Sequence, residues 1–328
     1  MVTETPRWRL GSYATTTLTT RFIDANNLGK HSFCGSLTEN NGIAYTCRGG
    51  HIDVTHVRIA ADYVRYLYNK TRKNILTSTS EFTFNSDEEP SVYFVQLKYP
   101  NHWQTLPPQD KERIADEVVF ELSQYFTYTM VTWHEVLTWF GYKPSGFLPE
   151  FPSAFSWEDN YSNLVGTRLG AQAVAEDKHD FDEAMTIAIQ VELENLGVQS
   201  RKIARKASAK MRGKWWRYTL SVVFVEMLER NMDLGYVDGF VTPTLVPGVC
   251  EDARPQSYPV PALAALSKYG FAMTLEVEPK EFEKSKILRI VYPDGSSKRI
   301  NLPKDLPLIM DVVKKQAIGM GYNVMPPK

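Results

Sequence analysis

Six histidines stand in the 328 residues, and three of them sit beside carboxylates within core-like runs. His134 and Glu135 lie inside YTMVTWHEVLTWFG, residues 128–141. His51, Asp53 and His56 come from GHIDVTH, residues 50–56. Glu158, Asp159 and Asn163 belong to SAFSWEDNYSN, residues 153–163. Imidazole nitrogens and carboxylate oxygens are the donors that bind zinc and related divalent metals, and a further carboxylate beside such a metal can take a proton from its bound water. Burying so many ionisable groups is costly unless they are paired or coordinate an ion. The pattern therefore points to a metal-dependent hydrolase, zinc being the first choice of metal. His51, His56, His134 and Glu158 would be its ligands and Glu135 its general base. Asp53, Asp159, Asn163 and Thr138 would orient them.

The helix itself supplies only half of a zinc site. HExxH places two histidines one turn apart, but His134-Glu135-Val136-Leu137-Thr138 has threonine at the second position. The missing imidazole must come from GHIDVTH, where Asp53 and His56, three apart, share a helical face. Each residue also has a structural reading. His56 could be a hydrogen-bonded core histidine and Asp53 a helix cap. Asp159 could close a capping box with Ser156, and Glu158 could favour the helix dipole. The alternative to an enzyme is a non-enzymatic envelope or binding protein. Its polar cluster would be structural, and its aromatic-rich loop, 139–157, would contact a glycan or a partner. Ser153 and Ser156 lack a GxSxG setting, and neither a Walker A nor a GxGxxG pattern is present. His31, His102 and His179 read as surface residues, with His31 a reserve ligand.

The elements that must hold these residues are mainly helices. Apolar residues at helical spacing predict helices over 52–69, from about Lys111 to Phe140, over 157–174, from about Phe181 to Leu196, and from Ser200 onward. Gly141 is placed as a C-cap. TTTLTTRFI and GIAYTCRGG read as strands, and 82–85 with 92–99 as an antiparallel pair around SDEEPS. YKPSGFLPEFPSAF reads as a loop, and the stretch after Tyr218 as a helix or strand. ILRIVYPDGSSKRINL reads as a hairpin and DLPLIMDVVKKQAIGMG as a closing helix. The expected fold is α+β: a mostly helical core with antiparallel hairpins over 1–253, and a smaller α+β extension over 254–328.

Composition narrows the partners. The chain is 43% hydrophobic and 23% charged, with a net charge of −1, so its overall field selects neither anions nor cations. No apolar run approaches the ~18–20 residues of a membrane span. The opening MVTETPRWRL shows no basic segment followed by an apolar one, so no signal peptide is read there. Cys34, Cys47 and Cys250 form no disulfide framework by spacing; a Cys34–Cys47 bridge and three thiols both stand as readings. SRKIARKASAKMRGKWWR, residues 200–217, holds eight Lys/Arg and no acid. It reads either as an anionic-polymer contact or as a solvated face neutralised by the acidic helix at 176–194. The substrate expected is a small molecule, peptide or glycan, not a nucleic acid.

Three blocks, GGHIDVTHVR, TWHEVLTWFGY and PSAFSWEDNYSNLVG, resemble the signature blocks of the DUF4056 family, uncharacterised bacterial proteins of which many are exported or lipoproteins. GKHSF, NGIAYTCRGG and DGFVTPTLVPGVC fit the same pattern, so the resemblance spans roughly residues 28 to 260. It implies an exported location, in the periplasm or cell envelope, and carries no catalytic roles.

Overall fold

The computed structural model describes residues 5–34, 38–143, 151–219 and 225–325. A short antiparallel pair, β1 (Ile43–Thr46) and β2 (Gly50–Asp53), leads directly into helix α1 (Val54–Leu76). Asp53 starts that helix: its side chain accepts the Thr55 N–H, satisfying one of the orphan donors of the first turn. The helix read over 52–69 thus begins two residues later, because Gly50–Asp53 is spent on a strand.

Strands β3 (Glu81–Asn85) and β4 (Val92–Lys98) pair antiparallel as the alternation predicts. Helix α2 (Pro108–Trp139) opens with proline at its first turn and ends before Gly141, which has φ 101°. Helices α3 (Asp159–Ala175), α4 (Phe181–Asn195) and α5 (Arg201–Lys210) follow. The pair β5 (Trp216–Tyr218) and β6 (Val225–Met227) comes next, then β7 (Glu229–Asn231), and β8 (Phe240–Val241) paired with β9 (Tyr258–Pro259). The last stretch holds α6 (Ala264–Tyr269), β10 (Ala272–Glu278), α7 (Lys284–Val291), β11 (Ile300–Asn301), α8 (Leu302–Gly319) and β12 (Asn323–Met325), which lies parallel to β7. The fold is α+β, with eight α-helices among the described residues and small, mainly antiparallel sheets.

Helices α1, α2 and α3 form the centre. The α1–α3 contact is close because α3 presents glycines there. A Cβ on Gly166 would lie 2.3 Å from the Val57 carbonyl oxygen, and one on Gly170 2.6 Å from Ala61 Cα. Ile59, Tyr63, Val118, Leu122, Phe126, Trp133, Leu164 and Leu169 fill the space among the helices. The segment after residue 254 is built onto this centre. β10 pairs along β4 over seven residues, giving the order β11-β10-β4-β3, and the Trp139 indole of α2 donates to Gln316 of α8.

Several expectations are corrected. The hairpin read over ILRIVYPDGSSKRINL is a helix, α7, followed by a turn and β11. Ile287, Leu288 and Val291 recur at helical spacing, and β11 pairs with β10 rather than with the residues before it. TTTLTTRFI forms no strand; only an isolated bridge joins Phe22 to Ile43. Cys47 bonds to Cys250, not Cys34, with 5.5 Å between the Cα atoms. Part of the loop YKPSGFLPEFPSAF, residues 144–150, and residues 220–224 lie outside the described residues.

Candidate active site

The three polar blocks meet where the first turn of α1, the last third of α2 and the start of α3 converge. His56, His134, Glu135, Thr138, Asp159 and Asn163 line one cleft there. An irregular N-terminal strap, residues 8–13, forms a further wall. Each imidazole in the cleft is approached at Nδ1 by a buried carboxylate. His134 Nδ1 is 3.0 Å from Glu89 Oε2. His56 Nδ1 lies between two carboxylates, 3.3 Å from Asp53 Oδ2 and 3.5 Å from Asp159 Oδ1, and forms an aligned hydrogen bond with neither. A carboxylate at Nδ1 favours the tautomer whose proton is on that nitrogen and leaves Nε2 basic.

Asp53 does three things at once. Oδ1 caps α1 through the Thr55 N–H at 2.7 Å, while Oδ2 accepts the Ser12 N–H of the strap at 3.1 Å and faces His56. The capping reading of Asp53 is therefore met, and its second oxygen lies beside His56. Asp159 Oδ2 accepts the Ser156 N–H at 2.8 Å, which is the returning half of the expected capping box. Residue Glu158, not Ser156, is the N-cap of α3. Glu135 is buried, and its Oε2 accepts the Phe155 N–H at 2.8 Å.

Burial dominates the electrostatics. It pushes Asp159 well above the usual carboxylate range, with the charges of Glu135 and Glu158 adding to the effect. Burial likewise pushes Glu158 up to about 7. Thr138 Oγ1 and Asn163 Oδ1 are buried on the cleft wall without hydrogen-bond partners. Buried polar atoms are normally satisfied, so these two mark where a ligand's donors would be received.

The structure does not bring every expected residue to the cleft. His51 lies elsewhere: its Nε2 is 3.4 Å from the Ala204 carbonyl, its Nδ1 accepts from the Trp157 indole N–H at 3.3 Å, and Tyr45 packs edge-on against the ring. Burial lowers its pKa to about 4. It is a neutral core histidine, and the expectation of a ligand there is corrected. Glu158 instead accepts the N–H of Ala14, just after the strap, at 2.7 Å, and is absent from the cleft lining. His31, read as a surface residue, is 3% exposed with Nε2 2.9 Å from Asp62. It joins a buried ionic set in which Arg9 pairs with Asp62 at 2.6 Å and with Glu39 at 3.1 Å, beside Arg58. Burial alone would raise Glu39, but Arg9 and Arg58 hold it down at about 2. His102 is exposed, and His179 pairs with Glu176 at 3.3 Å.

Sequence reasoning missed Glu89 and the strap. Glu89 sits in SDEEPS, which reads as a turn; the available signal was an acid flanked by aromatic strands. The His and carboxylate groups of the cleft, His56, His134, Glu135 and Asp159, offer nitrogen and oxygen donors. Among the described residues, however, no three His, Cys, Asp or Glu are gathered as a metal set.

A family model described as "Protein of unknown function (DUF4056)" matches residues 15–244. Neither a curated protein nor a solved structure matches the chain.

Proposed function

The chain belongs to the DUF4056 family, and from the geometry of its cleft we propose that it is a hydrolase working by general acid–base catalysis. The observation that carries the reading is the pair of imidazoles, His56 and His134, each with a buried carboxylate within 3.3 Å of Nδ1 and both facing one cleft with Glu135 and Asp159. Asp159, kept protonated by burial and by its charged neighbours, is suited to give a proton to a leaving group. Glu135, one oxygen of which is fixed by Phe155, takes a proton from water. Two carboxyl groups with environments that separate their roles are a recurrent basis of such chemistry. His134, poised by Glu89, relays or shares that proton.

The cleft wall carries Glu88, Glu89 and Glu135, and the charge of Arg9 is taken up by Glu39 and Asp62. The ligand it suits is therefore rich in hydrogen-bond donors or positively charged, such as an amine-bearing small molecule, peptide or glycan. A second reading, a divalent cation with zinc first, rests on donor chemistry alone: His56, His134, Glu135 and Asp159 line the cleft without being gathered as a ligand set. A cation would return Asp159 to its ionised form. An exported, oxidising setting, which the family resemblance implies, is supported by the Cys47–Cys250 disulfide, since such bonds persist in oxidising compartments.

The experiment is a panel of ester, amide, phosphoester and glycoside substrates, run on protein purified without a polyhistidine tag, with chelator and with added zinc or manganese. Turnover by the native chain and its loss in Glu135→Gln support the reading. No turnover with or without metal, or turnover indifferent to Glu135→Gln, removes it. Dependence on added metal selects the second form.

A further inference from the structure

The stretch from α5 to the start of β5 carries Arg201, Lys202, Arg205, Lys206, Arg212 and Lys214, all exposed, with no acid among them. A solvated helix face normally interleaves charges of both signs. Here the expected neutraliser would be the acidic residues around α4, but four of these are engaged elsewhere. Glu176 pairs with His179, Asp182 accepts the Phe33 N–H, Glu192 accepts from the Tyr258 hydroxyl, and Glu194 accepts from Gln190. Asp24, at the helix start, accepts the Arg201 backbone N–H. Among the described residues, none of the six cations forms a side-chain ion pair with a carboxylate; the pairs that form lie elsewhere on the chain.

The four cations on α5, Arg201, Lys202, Arg205 and Lys206, also share a side. Helix α5 buries Ala204, Ala207 and Ser208, and the Ser208 hydroxyl donates to the Ala14 carbonyl. Small residues let the helix lie flat on the body. At about 100° per residue, Arg201, Lys202, Arg205 and Lys206 fall within an arc of about 140° on the opposite side. Lys210, near its end, is tied to the Pro247 carbonyl.

We propose that this basic face is a docking surface for a membrane of anionic phospholipid. A cluster of 4–8 Lys/Arg on an amphipathic helix is the arrangement that such headgroups attract. The Cys47–Cys250 disulfide argues for this partner over nucleic acid, because proteins that keep a disulfide reside in oxidising compartments. The attachment is electrostatic and hence reversible and weakened by salt.

The test is sedimentation of the oxidised full chain with vesicles of phosphatidylcholine alone or mixed with phosphatidylglycerol, at low and at physiological salt, with duplex DNA and heparin measured in parallel. Expected is binding that needs phosphatidylglycerol and falls with salt. The variant R201Q/K202Q/R205Q/K206Q loses about 5-fold per removed charge, on the order of 10³-fold for the four at low salt. The variant K284Q/R289Q/K298Q/K304Q, with the same change of net charge elsewhere, retains it. A thermal melt of each variant confirms folding. The proposal is overturned if phosphatidylglycerol adds nothing, if both variants lose binding equally, or if the native chain binds DNA or heparin more tightly than the vesicles.

Discussion

Replacing His51 with glutamine isolates the titration of one buried imidazole. Glutamine can still accept from Trp157 and donate to the Ala204 carbonyl, the two contacts His51 makes, but it has no charge to gain. Burial lowers His51 to about 4 from an ordinary 6.5. For a group whose folded value is depressed, the neutral folded form is favoured above 6.5. That stability is lost as pH falls through the window between the two values. The gap is worth roughly 3 kcal/mol in full, of which roughly 2 kcal/mol disappears between pH 7 and pH 4.5. Glu158 works in the other direction. Burial raises it to about 7 from 4.5, so its contribution is present at low pH and fades as pH rises through 7. The two oppose each other across nearly the same window, which flattens the native pH profile and hides the histidine. The informative quantity is therefore the difference between native chain and His51→Gln, measured by urea unfolding at pH 7 and pH 4.5. The native advantage should shrink by roughly 2 kcal/mol on acidification. A difference that stays constant between the two pH values would refute a neutral, desolvated His51 and reopen its place as a ligand.

Other outcomes follow from single contacts. Arg9→Met leaves Glu39 and Asp62 buried with a cation removed and should cost about 3–5 kcal/mol in urea unfolding. Gly166→Ala drives a methyl to within 2.3 Å of the Val57 carbonyl oxygen; spreading α1 from α3 should cost about 3 kcal/mol or more, read as a fall in melting temperature. Reducing Cys47–Cys250, which closes a sequence separation of 203 residues, should lower stability by up to ~5 kcal/mol, seen by comparing melts with and without dithiothreitol.

The long helices were legible because each carries its own apolar period and end signals. α2 shows Pro108 at its start and Gly141 past its end, and α4 is followed by Gly197, with φ 78°. The convergence of His56, His134, Glu135 and Asp159 was readable as a chemical grouping, since buried ionisable residues seek company. Its geometry was not. His51 was misassigned because the helix was read as starting at Ile52, with His51 free to turn inward just before it; in the strand it occupies, the ring packs against Tyr45 and Trp157. Glu89 reaches His134 across 45 positions, a pairing that no local period encodes. His31 looked exposed because its segment is rich in turn residues, yet Asp62 and the strap's Arg9 bury it. The α7 segment was read as a strand because Ile, Val and Tyr favour strands; packing of Ile287 in the core overrides that preference.

The central claim is that the cleft exists for chemistry rather than for support. The measurement closest to it is made on the double variant His134→Gln/Glu135→Gln, with turnover on whichever panel substrate the native chain hydrolyses and urea stability taken on the same preparation. An acid–base site predicts turnover lowered by about 10²–10⁴-fold with stability within ~1 kcal/mol of native, because residues placed for function are not placed for stability. Retained turnover accompanied by a loss of several kcal/mol would contradict the account and make the cluster a structural network.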